Sequence, residues 1–319
     1  MKSKHKHLAV AALGAVIAGC VAAGSAWAQS GKLLLTGGVS SIDGAAGGGL
    51  TPWALVGSNA TDGEVGATVH LTRLATQDYG LTAYGVTLGY RDWLEVSLAR
   101  QDFDASPTTL LNGIAPFGVK PGQHVNMDVL GVKVRVAGEA VLDTLTWMPQ
   151  VAIGLEHKQV SPGSLQSVFD FLGTHTCGTD VYVSATKLFL ADGLLLNGTL
   201  RNTNANQNGL LGFGAGGPGA PSEGGRKWQP EFSVAYLLNR TLAVGAEVRF
   251  KPNALESVGR RAGLADALQE DDWKDLFVAW APDKSLSMTL AYVDLGRVIP
   301  GITGNRKQSG WYLSGQFAF

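Results

Sequence analysis

Apolar and polar residues alternate along the last ten positions of the chain. Trp311, Leu313, Phe317 and Phe319 fall on every second position, with Gly315 among them. Because successive side chains of a β-strand point to opposite faces, this pattern predicts a strand with one apolar face. An apolar face that ends on a terminal aromatic residue is typical of a barrel strand that faces lipid. A core strand of a soluble β-domain is the alternative.

The same alternation recurs from Glu64 onward and predicts an all-β chain. For example, Phe232 and Val234 alternate with Glu231 and Ser233. We count about twelve strands, with fourteen as the alternative number. The twelve lie near residues 64–74, 79–90, 93–104, 124–137, 145–158, 178–190, 193–204, 227–239, 241–251, 272–281, 285–297 and 307–319.

One of these strands breaks the pattern. Polar residues occupy even positions at its start, as at His124 and Asp128, but odd positions at its end, as at Lys133 and Arg135. If all of them face one side, the phase must change between them. The sequence therefore predicts a β-bulge near Leu130–Gly131.

The connections between the strands fall into two length classes that alternate. The short ones lie at residues 91–92, 138–144, 191–193, 239–240 and 281–284. The long ones lie near residues 105–123, 159–177, 205–227, 252–271 and 298–306. Transmembrane barrels have short turns on one side of the membrane and long loops on the other. We therefore predict a transmembrane antiparallel up-and-down β-barrel over residues 64–319.

Charged residues on the strands are expected to face the lumen, because a charge at mid-bilayer costs about 2–4 kcal/mol on the lipid face. Internal salt bridges are the favoured role for these side chains, and contact with a solute is the alternative. The predicted lumen-facing residues are Glu95, Lys133, Arg135, Glu156, Arg201, Glu231, Glu247, Arg249 and Asp275.

The N-terminus has the features of an export signal. A basic start precedes an apolar run, and Ala26-Trp27-Ala28 forms a cleavage site, so residues 1–28 are predicted to be a signal peptide. Cys20 lies in a stretch similar to a lipoprotein processing box, and its acylation is the alternative. Cleavage after Ala28 would leave Cys177 without a second cysteine in the chain.

Residues 29–63 form a glycine-rich segment that no regular element accommodates. Gly37-Gly38 and Gly47-Gly48-Gly49 interrupt it, and Leu50-Thr51-Pro52-Trp53 follows. We leave two interpretations open, namely an extended strand pair and a plug folded inside the lumen. The segment has no phosphate-binding motif.

Composition narrows the function classes. Charged residues make up only 16% of the chain and the formal net charge is −1, which argues against nucleic acid as a partner. The sequence contains no catalytic or metal-binding motif, so we predict no enzyme, no cofactor and no metal.

Acidic residues 270–272 and Asp275 could hold Ca²⁺ that bridges lipopolysaccharide, but a solvated rim is favoured.

Two long loops carry apolar residues at helical spacing. Leu165, Val168 and Leu172 mark the first, and Leu255 and Val258 mark the second. We predict short amphipathic helices there, which either narrow the mouth of the barrel or pack against its rim.

The last strand resembles the signal that the assembly machinery reads in bacterial outer-membrane barrels, carried here by Trp311, Leu313, Phe317 and Phe319. Together with the stretch Gly37 to Trp53, the chain resembles a proteobacterial outer-membrane barrel family catalogued only as a domain of unknown function. In outline it is also similar to barrels that admit fatty acids or aromatic compounds and have a plugging N-terminal segment. These resemblances imply a location rather than a reaction.

Two functions from different classes remain open. The first is a monomeric outer-membrane channel for the uptake of small solutes, apolar ones among them, gated by residues 29–63 and by the two helical loops. The second is a closed barrel with a structural or surface-interaction role, and a lipid-modifying enzyme is a distant third. The expected location is the Gram-negative outer membrane, and the expected partners are its lipid, its lipopolysaccharide and the barrel assembly machinery.

Overall fold

A computed structural model describes residues 32–35, 37–61, 64–141, 146–217 and 225–319. The predicted signal peptide, residues 1–28, lies outside these residues. Within the described ranges, no helix has the length and apolar character needed to cross a membrane.

Twelve antiparallel strands form one closed barrel, which confirms the predicted fold and excludes the fourteen-strand alternative. Two further short strands, β1 and β2, pair with each other outside this sheet. Strand β14 pairs with β3 and closes the barrel. The strands are β1 (Val39–Ser40), β2 (Ala46–Gly47), β3 (Val65–Ala75), β4 (Gly80–Tyr90), β5 (Leu94–Asp104), β6 (His124–Ala137), β7 (Gln150–Ser161), β8 (Cys177–Phe189), β9 (Leu194–Thr203), β10 (Lys227–Leu237), β11 (Leu242–Arg249), β12 (Trp273–Trp280), β13 (Leu286–Asp294) and β14 (Ser309–Ala318).

The two ends of the barrel differ in their connections. At the turn end lie the start of β3, the end of β14 and the shorter turns. At the loop end the connections are long, apart from the short one at residues 76–79 between β3 and β4. Within the described residues, the loop-end connections carry three short α-helices, which are α1 (Gln166–Leu172), α2 (Leu255–Arg261) and α3 (Pro300–Thr303). They also carry 3-10 turns at Ser106–Leu111, Gly163–Leu165 and Asn206–Gly209.

The outer face of the barrel is apolar, and the inner face is polar. Leu276 is 67% exposed and Trp311 is 60% exposed, and both point outward. Thr72, Ser184 and Thr199 are buried on the inner face. This is the reverse of a soluble domain, whose apolar side chains point inward, and it suits a barrel that is surrounded by lipid.

The predicted β-bulge at Leu130–Gly131 is wrong. The alternation of β6 continues through these two residues, and its pairing with β5 is unbroken there. His124 and Asp128 point outward, where they contact Asp102 and Arg100 of β5 at 2.6 and 3.3 Å. These polar side chains do not share a face with Lys133, so no change of phase is needed.

The reason is that the polarity of the wall reverses near the loop end. There the outward side chains are polar, and the inward ones, Val125, Met127 and Val129, are buried among apolar neighbours. A strand that extends beyond the lipid no longer needs an apolar outer face. The register of β6 shifts between Arg135 and Ala137 instead, at the turn end.

Strand β7 begins later than predicted, at Gln150 rather than near residue 145. Trp147 lies before the strand and is 84% exposed, with its ring in edge contact with that of Phe189 at 5.4 Å. Aromatic rings at this level of a barrel suit the membrane interface. The alternation of apolar and polar residues therefore extends to Trp147, although the hydrogen bonds between strands begin only at Gln150.

Candidate functional site

The lumen contains a stretch of chain, residues 37–61, which we call the luminal segment. Its two short strands form a hairpin, and Ile42, Leu50 and Trp53 are buried inside the barrel. The segment begins and ends at the turn end, where the Asn59 side-chain amide donates to the Lys284 carbonyl. Its tip extends toward the loop end.

Two glycines allow the hairpin to fit. Gly38 has φ +73°, and a Cβ there would lie 2.8 Å from the Gly47 carbonyl oxygen. A Cβ on Gly48 would lie 1.9 Å from Oε1 of Glu247 on the wall. Larger residues would therefore separate the two strands or push the segment from the wall.

The first contact point with the wall is the ion pair of Lys133 and Glu95, whose charged atoms lie 3.1 Å apart. Glu95 accepts hydrogen bonds from the backbone N–H groups of Ala46 and Gly57 at 3.1 and 2.6 Å. Lys133 donates to the carbonyls of Ala46 and Trp53 at 2.9 and 3.1 Å. The pair thus binds β2 and the chain that follows it, at Trp53 and Gly57.

The second contact point is Glu247 on β11. Its carboxylate accepts from the Leu50 backbone N–H at 2.7 Å, the Thr51 hydroxyl at 2.6 Å and the Ser233 hydroxyl at 2.8 Å. Asp275 lies directly opposite it on β12 and is buried. Neither oxygen of Asp275 accepts a hydrogen bond from the residues that the structure describes.

The third contact point is Asp43 at the tip of the segment, which is fully buried. Its carboxylate lies 3.0 Å from Arg249 and 3.5 Å from Lys158. It also accepts from the side-chain amides of Gln101 and Asn208 at 2.9 and 2.8 Å. Asn208 belongs to the loop between β9 and β10, so chain from the loop end meets the luminal segment at this carboxylate.

Behind Asp43, six side chains of the wall form an ion-pair network that we call the wall cluster. Arg201 lies 2.6 Å from both Glu156 and Glu231. Lys158 lies 3.2 Å from Asp180 and 3.3 Å from Glu156. The cluster contains three carboxylates and three basic groups, and its members are Glu156, Lys158, Asp180, Arg201, Glu231 and Arg249.

Seven of the nine predicted lumen-facing residues take part in these contacts, whereas Asp275 and Arg135 do not among the described residues. Eight of the nine are buried, as described above. Arg135 lies at the turn-end rim, where its guanidinium contacts Asp92 at 2.8 Å and Glu139 at 3.0 Å. It does not contact the luminal segment through any interaction of the described residues.

Sequence reasoning missed Asp43, Lys158 and Asp180. Lys158 follows Glu156 on the same stripe of β7, and Asp180 starts the inward stripe of β8 that continues to Tyr182. Strand parity alone could have identified both. Asp43 lies in an irregular segment with no period, so the sequence carries no comparable signal for it.

The loop end is covered by its own connections. Phe169 and Leu172 of α1 and Leu255 and Val258 of α2 are buried, and both predicted helices pack against other loop-end connections. The loop between β9 and β10 descends farther, and Leu210 is buried beneath them. The lumen is thus filled from both ends.

The acidic residues near 270–272 take part in ion pairs at this end. Glu270 lies 3.6 Å from Lys251, and Asp271 lies 2.7 Å from Arg297. The hydrogen bond from Arg297 lowers the pKa of Asp271. Burial lowers the pKa of Lys251 to about 8, against the attraction of Glu270, whose own pKa burial raises. These carboxylates therefore act within the loop-end cover.

Small cavities lie at both ends of the lumen. One of about 30 Å³ is lined by apolar residues of the loop-end half, including Leu81, Phe103 and Trp273. Another of about 30 Å³ lies at the turn end beside Trp53, Leu195 and Phe277. The charged contact points at Glu95, Glu247 and Asp43 lie between the two cavities. We call this zone the polar belt, and it has apolar surface on either side.

The four residues of the predicted assembly signal lie on β14 and at its end. Trp311, Leu313, Phe317 and Phe319 point outward and are exposed. The rings of Phe317 and Phe319 are in edge contact, with centroids 5.0 Å apart. Phe319 also donates its backbone N–H to the Ala67 carbonyl at 2.8 Å, which binds the chain end to β3.

A closed barrel with an apolar outer face and a polar inner face is characteristic of transmembrane β-barrels. The chain belongs to the family described as "Protein of unknown function (DUF3034)", which matches residues 36–316. This match confirms the predicted family resemblance.

Among solved structures, the chain is similar to a NanC porin, with 11% identity, a TM-score of 0.48, and 79% of this chain and 98% of that chain covered. It is similar to a KdgM porin with 7% identity, a TM-score of 0.46 and coverages of 79% and 99%. Outer membrane phospholipase A from Escherichia coli follows with 9% identity, a TM-score of 0.39 and coverages of 80% and 90%. A search of curated proteins found no match.

Proposed function

We propose that the protein is an outer-membrane channel for small solutes and that residues 29–63 hold it closed. The observation that carries this proposal is the independence of the wall from the luminal segment. Within the described part of the chain, the twelve wall strands pair only with one another, while the segment is bound mainly by inward-pointing side chains. Its displacement would leave a closed barrel with a polar lining.

The width of the barrel supports a passage through the lumen once the luminal segment is displaced. Side chains alone fill a barrel of about eight strands, whereas about 16–18 strands leave an aqueous channel. A barrel of twelve strands lies between these cases. The luminal segment supplies the additional volume that inward-pointing side chains do not fill.

Charge balance also favours a segment that can move. The wall cluster has three carboxylates and three basic groups without Asp43. Removing Asp43 with the segment therefore leaves the cluster neutral.

The apolar surfaces at both ends bear on the solute class. The cavity beside Leu81 and Trp273 and the cavity beside Trp53 and Phe277 lie on either side of the charged contact points. We propose that the solutes are small and that apolar ones are among them. The polar belt between the cavities would then orient them.

Deletion of residues 31–60 tests the channel. In planar bilayers the purified deletion variant should give discrete conductance steps, larger than those of the full-length protein, because the contacts at Glu95, Glu247 and Asp43 are lost. Removal of residues 31–36 alone spares these three contacts, although it removes the hydrogen bond from Lys32 to the Val56 carbonyl. It is the matched control and should behave as the full-length protein does. If neither the full-length protein nor the 31–60 deletion variant conducted ions, the proposed channel would be contradicted.

The alternative is a closed barrel with a structural or surface-interaction role. The buried ion pairs and the loop-end cover favour it, because both fill the lumen. The bilayer measurement separates the two functions, since a closed barrel would stay silent after the deletion.

We further propose that the chain is exported by residues 1–28 and inserted as a monomer in the Gram-negative outer membrane, in contact with its lipid and lipopolysaccharide. The apolar outer face supports insertion in lipid. The exposed aromatic residues at the end of β14 support recognition by the assembly machinery.

Removal of Phe319 should lower the amount of protein in the outer membrane several-fold. The deletion takes away an exposed aromatic side chain and the hydrogen bond to Ala67. Immunoblots of separated membrane fractions would measure this effect. Phe319→Ala keeps the backbone bond and removes only the ring, so a normal level in that variant would contradict a role for the aromatic side chain.

A further inference from the structure

Two carboxylates lie side by side on the inner wall. Glu247 of β11 and Asp275 of β12 are register partners, and both are buried on the lumen side. Directly opposite residues of an antiparallel pair have Cβ atoms about 4.5–5.5 Å apart. Two carboxyl groups therefore share a small part of the lumen.

Neither carboxylate forms an ion pair among the described residues. Glu247 accepts hydrogen bonds only from neutral donors, namely Leu50, Thr51 and Ser233. The oxygens of Asp275 accept none within the described part of the chain. The guanidinium of Arg249, two residues from Glu247, contacts Asp43 at 3.0 Å and Glu231 at 3.2 Å.

The other buried charges of the inner wall are balanced. The wall cluster contains three acids and three bases, and Glu95 pairs with Lys133. Glu247 and Asp275 are therefore the buried carboxyl groups of the described lining that have no basic partner. In the closed state Leu50 and Thr51 cover this position.

We propose that Glu247 and Asp275 make the open lumen select cations over anions, an inference that rests on the proposed channel. When the luminal segment leaves, Glu247 loses two of its three donors and water reaches both carboxylates. Adjacent charges of one sign on an otherwise neutral wall of low dielectric constant raise the local concentration of counter-ions and repel ions of like charge. The solutes favoured are small inorganic or organic cations, such as protonated amines.

The reversal potential in a potassium chloride gradient tests this selection. In the barrel without residues 31–60, K⁺ should permeate several-fold better than Cl⁻. Glu247→Gln combined with Asp275→Asn should bring the permeability ratio close to one while conductance persists. Persisting conductance also demonstrates that the variant is folded.

A matched pair of substitutions controls for net charge. Asp128→Asn with Asp294→Asn removes two carboxylates from the outward face, where they pair with Arg100 and Lys274. This variant should keep the preference for K⁺. If the double variant of Glu247 and Asp275 fails to insert, Asp275→Asn alone repeats the test, because it removes no hydrogen bond of the described structure.

The outcomes separate the two proposals. A conducting barrel with no preference for K⁺, or with a preference that survives Glu247→Gln and Asp275→Asn, would overturn the cation selection and leave the channel standing. A barrel that never conducts would overturn both.

Discussion

Replacement of Arg201 by methionine should lower the free energy of unfolding by about 3–5 kcal/mol, because it leaves buried carboxylates without their partner. The Arg201 guanidinium lies 2.6 Å from both Glu156 and Glu231 and 3.5 Å from Asp180. Methionine retains much of the stem volume but supplies no charge. Urea unfolding of the barrel in lipid vesicles, followed by tryptophan fluorescence, would measure the loss.

Arg100→Met is the matched control. Arg100 pairs with Asp128 on the outer face at 3.3 Å, and both side chains are exposed. Exposed pairs contribute about 0–1 kcal/mol, so the control should shift the unfolding midpoint little. Equal shifts in the two variants would mean that the wall cluster does not stabilise the barrel through charge.

Asp43→Asn should open the channel more often. The substitution keeps an oxygen that can accept from Gln101 and Asn208, but it removes the charge that attracts Arg249 and Lys158. A hydrogen bond to a charged group contributes about 1.5–3 kcal/mol, which corresponds to roughly a 10- to 100-fold change in the ratio of open to closed states. Single-channel records of the full-length variant would give this ratio.

Asp102→Asn is the matched control, because it makes the same aspartate-to-asparagine change outside the lumen. Asp102 lies on the outer face beside His124, away from the lumen. Its variant should have the open fraction of the unmodified protein. An unchanged open fraction in Asp43→Asn would contradict a holding role for the Asp43 carboxylate.

Sequence alternation predicted most of the barrel because lipid imposes a strict rule on each outward position. The rule correctly predicts strand β14, in which Trp311 and Leu313 point outward and Tyr312 points inward. The rule fails where the wall leaves the lipid. At His124 and Asp128 the outward side is polar, and the assumption that polar means inward produced a bulge that the strand does not have.

The same rule explains how much of the candidate site was predictable. Glu95, Glu231 and Glu247 follow from strand parity, since charges avoid lipid. Their partners do not follow, because contacts across the lumen depend on how the barrel closes. Asp43 belongs to a segment whose conformation is set by tertiary contacts rather than by a repeating pattern, so its role became visible only in the folded chain.

The attachment of the luminal segment to β3 has a consequence for biogenesis. Strand β3 forms the closing seam with β14, and these are the first and the last barrel strands in sequence order. Until the seam closes, the segment lies beside an open edge of the sheet. It can therefore be enclosed sideways as the final ladder forms, and no threading through a finished ring is required.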